Sequence, residues 1–161
     1  MSQNRSPQRH GDTGESMTSG LVETKLARLA VHVKAPVGRI GLRNPPLNVI
    51  DIPMMDELRA ALADIEAHPE VSVIVLTGEG KAFSAGVDVA AHAPDKVEEM
   101  LFKFHTVIRA LVASRKVTIA AVHGNCLGGG AELAAGTELD GLSERGKRRA
   151  ERGVSGRVSR R

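Results

Sequence analysis

The chain has 161 residues, and 42% of them are hydrophobic, which is enough for one domain with a buried core. It contains no Trp, no Tyr and three Phe, which argues against a nucleic-acid surface built from stacked aromatic rings. The net charge of +3 comes from the end of the chain, because residues 144–161 hold eight Lys and Arg against two Glu, whereas residues 21–143 carry a net charge of −3.

The chain begins with a polar stretch rich in Ser and Gly, residues 1–20, which we expect to be disordered. Residues 25–46, KLARLAVHVKAPVGRIGLRNPP, alternate in a way that predicts two strands joined by a turn at APVG. A helix is predicted next, because Asp51 can cap it and Pro53 suits its first turn. Its apolar face would hold Met55, Leu58, Leu62 and Ile65.

The middle of the chain predicts two more strands and two more helices. VSVIVLTG (71–78) and VTIAAVHG (117–124) are apolar nearly throughout, which is typical of central strands covered on both faces. DKVEEMLFKFHTVIRALVAS (95–114) and GGGAELAAG (128–136) predict helices, the second only about two turns long. The order β-β-α-β-α-β-α indicates an α/β fold. The expected stripe of the longer helix is Val97, Leu101, Phe104, Ile108 and Leu111.

The regular pattern ends at Gly136. Residues 137–161 are basic and almost free of apolar residues, so we expect a disordered tail after a domain at residues 21–136. The arginine-rich ending resembles a sequence that was translated in another reading frame. A tail of this charge could bind nucleic acid through phosphates, but we favour an accidental extension.

Two glycine-containing loops follow the two apolar strands. GKAFSAGVD (80–88) follows the first strand, and HGNCLGGGAEL (123–133) follows the second. Both are expected beyond the carboxyl ends of their strands, where ligands bind in α/β sheets. One backbone N–H from each loop would make an oxyanion hole. Glu132 is the only acidic side chain in the second loop, and it is placed to act as a general acid or base.

The single cysteine and the histidines suggest no further chemistry. Cys126 excludes a disulfide within the chain and fits a reducing compartment, and we interpret it as a small packing residue. No spacing of His, Cys and carboxylates suggests a metal site. No apolar run approaches the ~20 residues of a membrane span and no signal peptide is evident, so we predict a cytoplasmic protein without membrane contact.

The two loops resemble the signature segments of the crotonase superfamily, the enoyl-CoA hydratases and isomerases. The matching segments are GKAFSAGVDV and AAVHGNCLGGGAELA, and NPPLNVIDIPMMDEL is similar to the N-terminal loop and first helix of that family. The resemblance covers about residues 23–136 and leans towards members of the cyclohexadienecarbonyl-CoA hydratase type. It implies an acyl-CoA substrate, no separate cofactor because coenzyme A is part of the thioester, and a trimer or hexamer for full-length members.

The resemblance also implies a role for individual residues. The two oxyanion donors would be the N–H groups of Val87 and Gly129, and Glu132 would move the proton. The expected substrate-binding residues are Ala85, Gly86, Val87, Asp88, Val89, Gly128 and Gly129. For Asp88, capping or a loop hydrogen bond is preferred to catalysis.

The chain departs from the family downstream of Glu132. Typical hydratases carry a second glutamate in a GxPE context, and no such segment is present. We therefore expect a partial, truncated crotonase-like core in which one side of the sheet is uncovered and turnover is impaired. Two alternatives stay open: a non-catalytic remnant or interaction subunit, and a nucleic-acid-binding protein that uses its tail.

Overall fold

One mixed sheet and three α-helices make up residues 22–142, the part of the chain that this computed structural model describes, with side chains from residue 26 to 139. Of the tails predicted at residues 1–20 and 137–161, all of the first and residues 143–161 of the second lie outside the described residues. In chain order the elements are β1 (Val22–Lys25), β2 (Leu29–Lys34), β3 (Val37–Leu42), α1 (Ile52–Ala67), β4 (Val73–Gly78), a 3₁₀ helix (Val89–His92), α2 (Val97–Val112), β5 (Val117–Val122), α3 (Gly129–Ala135) and β6 (Leu139–Leu142).

The strands lie in the sheet in their chain order, β1 to β6. The first three form an antiparallel meander, and β3 to β6 are parallel, with Val37 opposite Val73 and Val73 opposite Val117. Helices α1, α2 and α3 make the crossovers that parallel strands require. The carboxyl ends of β4 and β5 therefore lie at one edge, and the two glycine loops start there. The predicted α/β class is confirmed.

Helix α1 is the element that the sequence predicts best. Oδ1 of Asp51 accepts a hydrogen bond of 2.9 Å from the Met54 N–H, which confirms the predicted N-cap. The helix ends at Ala67, before Pro69. All four residues of its predicted apolar face are buried in the core: Met55, Leu58, Leu62 and Ile65.

The predicted end of the ordered core at residue 136 is wrong by one strand. Strand β6 continues the sheet and pairs in parallel with β5, with Leu139 opposite Ile119. The turn before it is tied to the sheet, since Thr118 Oγ1 accepts a 3.0 Å hydrogen bond from the Glu138 N–H. Four residues, LDGL, show no alternation, and their pairing depends on a neighbouring strand distant in sequence. Strand β1, VETK, was also missed, because four residues are too few to show a strand pattern, although its partner β2 directly follows it in the chain.

The prediction that both apolar strands are covered on two faces is also wrong for the described residues. In β4, Ile74 and Leu76 are buried, whereas Val73 and Val75 are only half-buried, and Val117 of β5 is 40% exposed. The helices pack on one face, because Leu62 of α1 and Ala110 of α2 line the same small cavity as Ile74. The opposite face is less covered.

Helix α2 confirms only part of the predicted stripe: Phe104 and Leu111 are buried as expected, but the rest of the inner face is different. Leu101, predicted to be inside, is 44% exposed, and the buried position next to it is Met100. Val97 and Ile108 are only partly buried. Apolar residues lie on two faces of this helix, so the pattern alone could not select the inner one. The residues buried along it are Met100, Phe104, Val107 and Leu111.

Candidate active site

The two glycine loops run side by side beyond β4 and β5. The Phe83 N–H donates to the His123 carbonyl at 2.8 Å, and the Ser84 N–H donates to the Asn125 carbonyl at 3.0 Å. In return, the Leu127 N–H donates to the Ser84 carbonyl at 3.1 Å. These bonds extend the parallel pairing of the strands into the loops, so the loops have a defined register.

The first loop is also bonded on its other side, to the segment that leads into α1. The Ala85 N–H donates to the Leu47 carbonyl at 2.9 Å, and the Ile50 N–H donates to the Gly86 carbonyl at 2.8 Å. The Asp88 N–H donates to the Ile50 carbonyl at 3.0 Å. Residues 84–88 thus lie between two other backbone segments and are hydrogen-bonded to both.

The glycines are required because backbone comes close to backbone and side chain. Gly86 has a φ of +109°, and a Cβ added there would lie 3.1 Å from the Leu127 carbonyl oxygen. A Cβ on Gly129 would lie 2.5 Å from Cγ2 of Val87, 3.2 Å from Cζ of Phe104 and 3.5 Å from the Val87 nitrogen. Val87 and Gly129 are therefore in direct contact.

Two backbone N–H groups remain available at this contact. Within residues 22–142, neither the Val87 N–H nor the Gly129 N–H donates to another backbone or side-chain group. Gly129 is the first residue of α3, so its N–H has no partner within the helix. Two adjacent donors, one from each loop, can bind an oxygen atom that carries developing negative charge.

Two positioning residues were not singled out from the sequence. Ser84 is fully buried, and its hydroxyl accepts the Gly86 N–H at 3.1 Å. Buried Asn48 has a φ of +53°, and its Nδ2 donates to the carbonyls of Glu79 and Ala82 at 2.9 and 2.8 Å. The asparagine has a sequence signal, since Asn tolerates the left-handed conformation better than most residues. The serine has none.

Glu132 lies one turn along α3, three residues after Gly129, and is exposed. Residues at this spacing lie on the same side of a helix, so the carboxylate shares a side of α3 with Gly129. The exposure leaves the carboxylate accessible to water.

The remaining predicted residues surround this contact in different ways. Asp88 Oδ1 accepts the Ala90 N–H at 3.1 Å and caps the 3₁₀ helix, which agrees with the preferred structural interpretation. Ala85 is half-buried in the loop, Gly128 has a φ of +48° just before α3, and Val89 is 84% exposed.

Other chemistry is not evident in the described part of the chain. Cys126 is half-buried, and its backbone pairs with that of Ser84 in a parallel β-bridge between the two loops. Between residues 22 and 142, no three His, Cys, Asp or Glu side chains are grouped so that they could hold a metal ion. None of the helices in that range has the length and apolar character needed to cross a membrane.

Comparison with known proteins identifies relatives that are much longer than this chain. A cyclohexa-1,5-dienecarbonyl-CoA hydratase from Thauera aromatica is 36% identical over 101 residues, which are 63% of this chain and 39% of that protein. A probable enoyl-CoA hydratase from Rhizobium meliloti is 42% identical over 108 residues, 66% of this chain and 42% of the relative. The chain thus spans about two fifths of the length of these curated relatives.

Solved structures agree with the sequence relatives. An enoyl-CoA hydratase/isomerase from Xanthobacter autotrophicus Py2 superimposes with a TM-score of 0.70 at 30% identity, covering 75% of this chain and 48% of that one. The family model described as enoyl-CoA hydratase/isomerase matches residues 32–145, which include both glycine loops and Glu132. The chain therefore belongs to the enoyl-CoA hydratase/isomerase family, the crotonase superfamily.

Proposed function

We propose that this chain binds an acyl-CoA thioester with its carbonyl oxygen between the N–H groups of Val87 and Gly129. The observation that carries the proposal is the direct contact of these two residues, whose donors find no partner among the described residues. As the thioester becomes an enolate, negative charge develops on that oxygen. Each donor then stabilises the transition state by about 3 kcal/mol.

Glu132 is the proposed acid and base. In a hydration, it takes a proton from water as the water oxygen bonds to the β-carbon of the enoyl group. The electron pair of the double bond moves to the thioester oxygen, and Glu132 then returns the proton to the α-carbon. In an isomerisation, the same carboxylate takes a proton from one carbon of the acyl chain and returns it to another. Positioned proton transfer of this kind contributes ~10²- to 10⁴-fold in rate.

The proposed substrates are conjugated enoyl- or dienoyl-CoA thioesters, short or cyclic. This class is suggested by the names of the relatives, one of which is a cyclohexadienecarbonyl-CoA hydratase. Coenzyme A is then part of the substrate, and we propose no separate cofactor. Because the chain spans only two fifths of such relatives, we propose that it retains thioester binding but turns over slowly. A cytoplasmic location and a trimeric or hexameric assembly of full-length members stay predictions.

The test is hydration of a short or cyclic enoyl-CoA, followed by loss of the absorbance of the conjugated thioester. Glu132→Gln keeps the shape of the side chain but cannot carry the proton, so the rate should fall ~10²-fold or more with little change in thioester affinity. Glu138→Gln is the matched control, because this glutamate is also exposed and lies six positions further along the chain. Equal rates for Glu132→Gln and the original chain would refute the role of Glu132.

A further inference from the structure

A third residue meets Val87 and Gly129 at their point of contact. Phe104, on α2, is only 4% exposed, and its ring tip Cζ lies 3.2 Å from the position that a Cβ on Gly129 would occupy. Val87 Cγ2 lies 2.5 Å from the same position. Both residues that supply the donors therefore share one small space with the end of this aromatic ring.

The ring limits the room into which the two loops could relax. The side chain of Val87 lies against the backbone of Gly129, so this packing sets the separation of the two loops at the donors. Removal of the ring tip would open a void beside the contact, and interiors respond to such voids by partial collapse. Hydrogen bonds weaken steeply as their angle departs from linear. A small shift of either loop would therefore weaken the hydrogen bonds that the Val87 and Gly129 N–H groups donate to one oxygen.

We propose that Phe104 is a positioning residue, which holds the Val87 and Gly129 N–H groups at the separation that one thioester oxygen requires. The inference rests on the proposed function, and it adds a residue from α2, outside both loops. Its neighbour on the helix, Phe102, is 68% exposed. Phe104 is therefore the ring that we expect to support the site, and the exposed Phe102 is the ring that we expect not to.

The test measures polarisation of the carbonyl directly. A push–pull chromophore, 4-dimethylaminocinnamoyl-CoA, absorbs at longer wavelength when its thioester oxygen accepts strong hydrogen bonds, because the excited state places more charge there. We expect the original chain to produce a red shift. Phe104→Leu, which removes the ring tip, should lose half or more of that shift and weaken binding by ~10-fold, within the range that a misplaced group can cost.

Two control variants separate positioning from stability. Leu111→Ala removes another buried side chain of α2, two turns from Phe104, and should lower the melting temperature while keeping the red shift. Phe102→Leu should change neither property. Phe104→Met has nearly the same volume as Phe104→Leu, but its unbranched side chain reaches further towards the position of the ring tip, so it should recover most of the shift. It also provides a second test if Phe104→Leu does not fold.

The outcomes distinguish this inference from the function on which it rests. No red shift with the original chain would refute the proposed oxyanion hole and, with it, the role of Phe104. A red shift that persists in both Phe104→Leu and Phe104→Met would overturn the positioning role alone. The same would follow if Leu111→Ala lost as much of the shift as Phe104→Leu.

Discussion

Substitution of Gly129 by Ala tests the contact between the two loops most sharply. The added Cβ would lie 2.5 Å from Val87 Cγ2, a separation that real Cβ atoms essentially never adopt, and 3.2 Å from Phe104 Cζ. One of the groups must therefore move. Overpacking of this kind costs about 1–3 kcal/mol of unfolding free energy, offset by up to ~1 kcal/mol because Ala favours a helix more than Gly does.

The structure also predicts what relieves that cost. Val87→Ala removes Cγ2, the atom nearest to the new methyl group, so Gly129→Ala should cost less in a Val87→Ala chain. The four proteins form a double-mutant cycle, in which we expect a coupling free energy of about 1–2 kcal/mol in favour of the double variant. Urea denaturation followed by circular dichroism supplies the four unfolding free energies.

Gly80→Ala is the control for this cycle. Gly80 has a φ of +77°, but nothing lies within 4 Å of an added Cβ, so its cost of about 1–2 kcal/mol comes from the backbone alone. That cost should be the same with Val or Ala at position 87. If Gly129→Ala also costs the same in both backgrounds, the two loops do not contact each other as described.

Further predictions concern α1. Asp51→Ala removes the helix cap together with the 2.7 Å hydrogen bond that Arg28 Nε donates to Asp51 Oδ2, so urea denaturation should show a loss of about 1 kcal/mol or more. Asp64→Ala, exposed on the same helix, should stay within about 0.5 kcal/mol. Burial raises the pKa of Glu66, but hydrogen bonds from the Arg115 amide, the Ser114 hydroxyl and the Arg115 guanidinium together lower that pKa below its ordinary value of 4.5. The stability that this carboxylate contributes is complete above pH 4.5 and is lost as the pH falls through the lowered value, so Glu66→Gln should flatten that part of the acid unfolding curve.

Each of these has a clear contrary result. Equal losses for Asp51→Ala and Asp64→Ala would show that the cap does not stabilise α1. An acid unfolding curve as steep for Glu66→Gln as for the original chain would show that the hydrogen bonds of this carboxylate do not contribute to stability.

The elements that local chemistry specifies could be predicted from the sequence. Asp51, Pro53 and the four apolar residues of α1 define that helix, and the two glycine loops lie beyond the ends of β4 and β5, as predicted. The family resemblance supplied Val87 and Gly129 as the pair of donors, and the structure shows that these two residues are in contact. The roles of Val87, Gly129 and Glu132 in catalysis stay predictions.

Several features could not be specified from the sequence, each for its own reason. Strands β1 and β6 are only four residues long, too short for a recognisable pattern, and each is defined by its pairing with the strand beside it. The inner face of α2 was ambiguous because Leu101 and Phe102 are as apolar as the buried Met100 and Phe104. Ser84 supports the site through a hydroxyl that accepts a backbone N–H two residues later, and no pattern in the sequence singles out that serine.

The most direct measurement of the proposed site is the amide resonances of Val87 and Gly129 in the ¹⁵N-labelled chain during titration with a saturated acyl-CoA, which cannot react. If both N–H groups donate to the thioester oxygen, both amide protons should move downfield together and saturate at the same ligand concentration. Free coenzyme A, which has no thioester carbonyl, should leave the two resonances in place. If amides elsewhere respond to the acyl-CoA while those of Val87 and Gly129 do not move, the thioester oxygen does not lie between them and the proposed oxyanion hole is wrong.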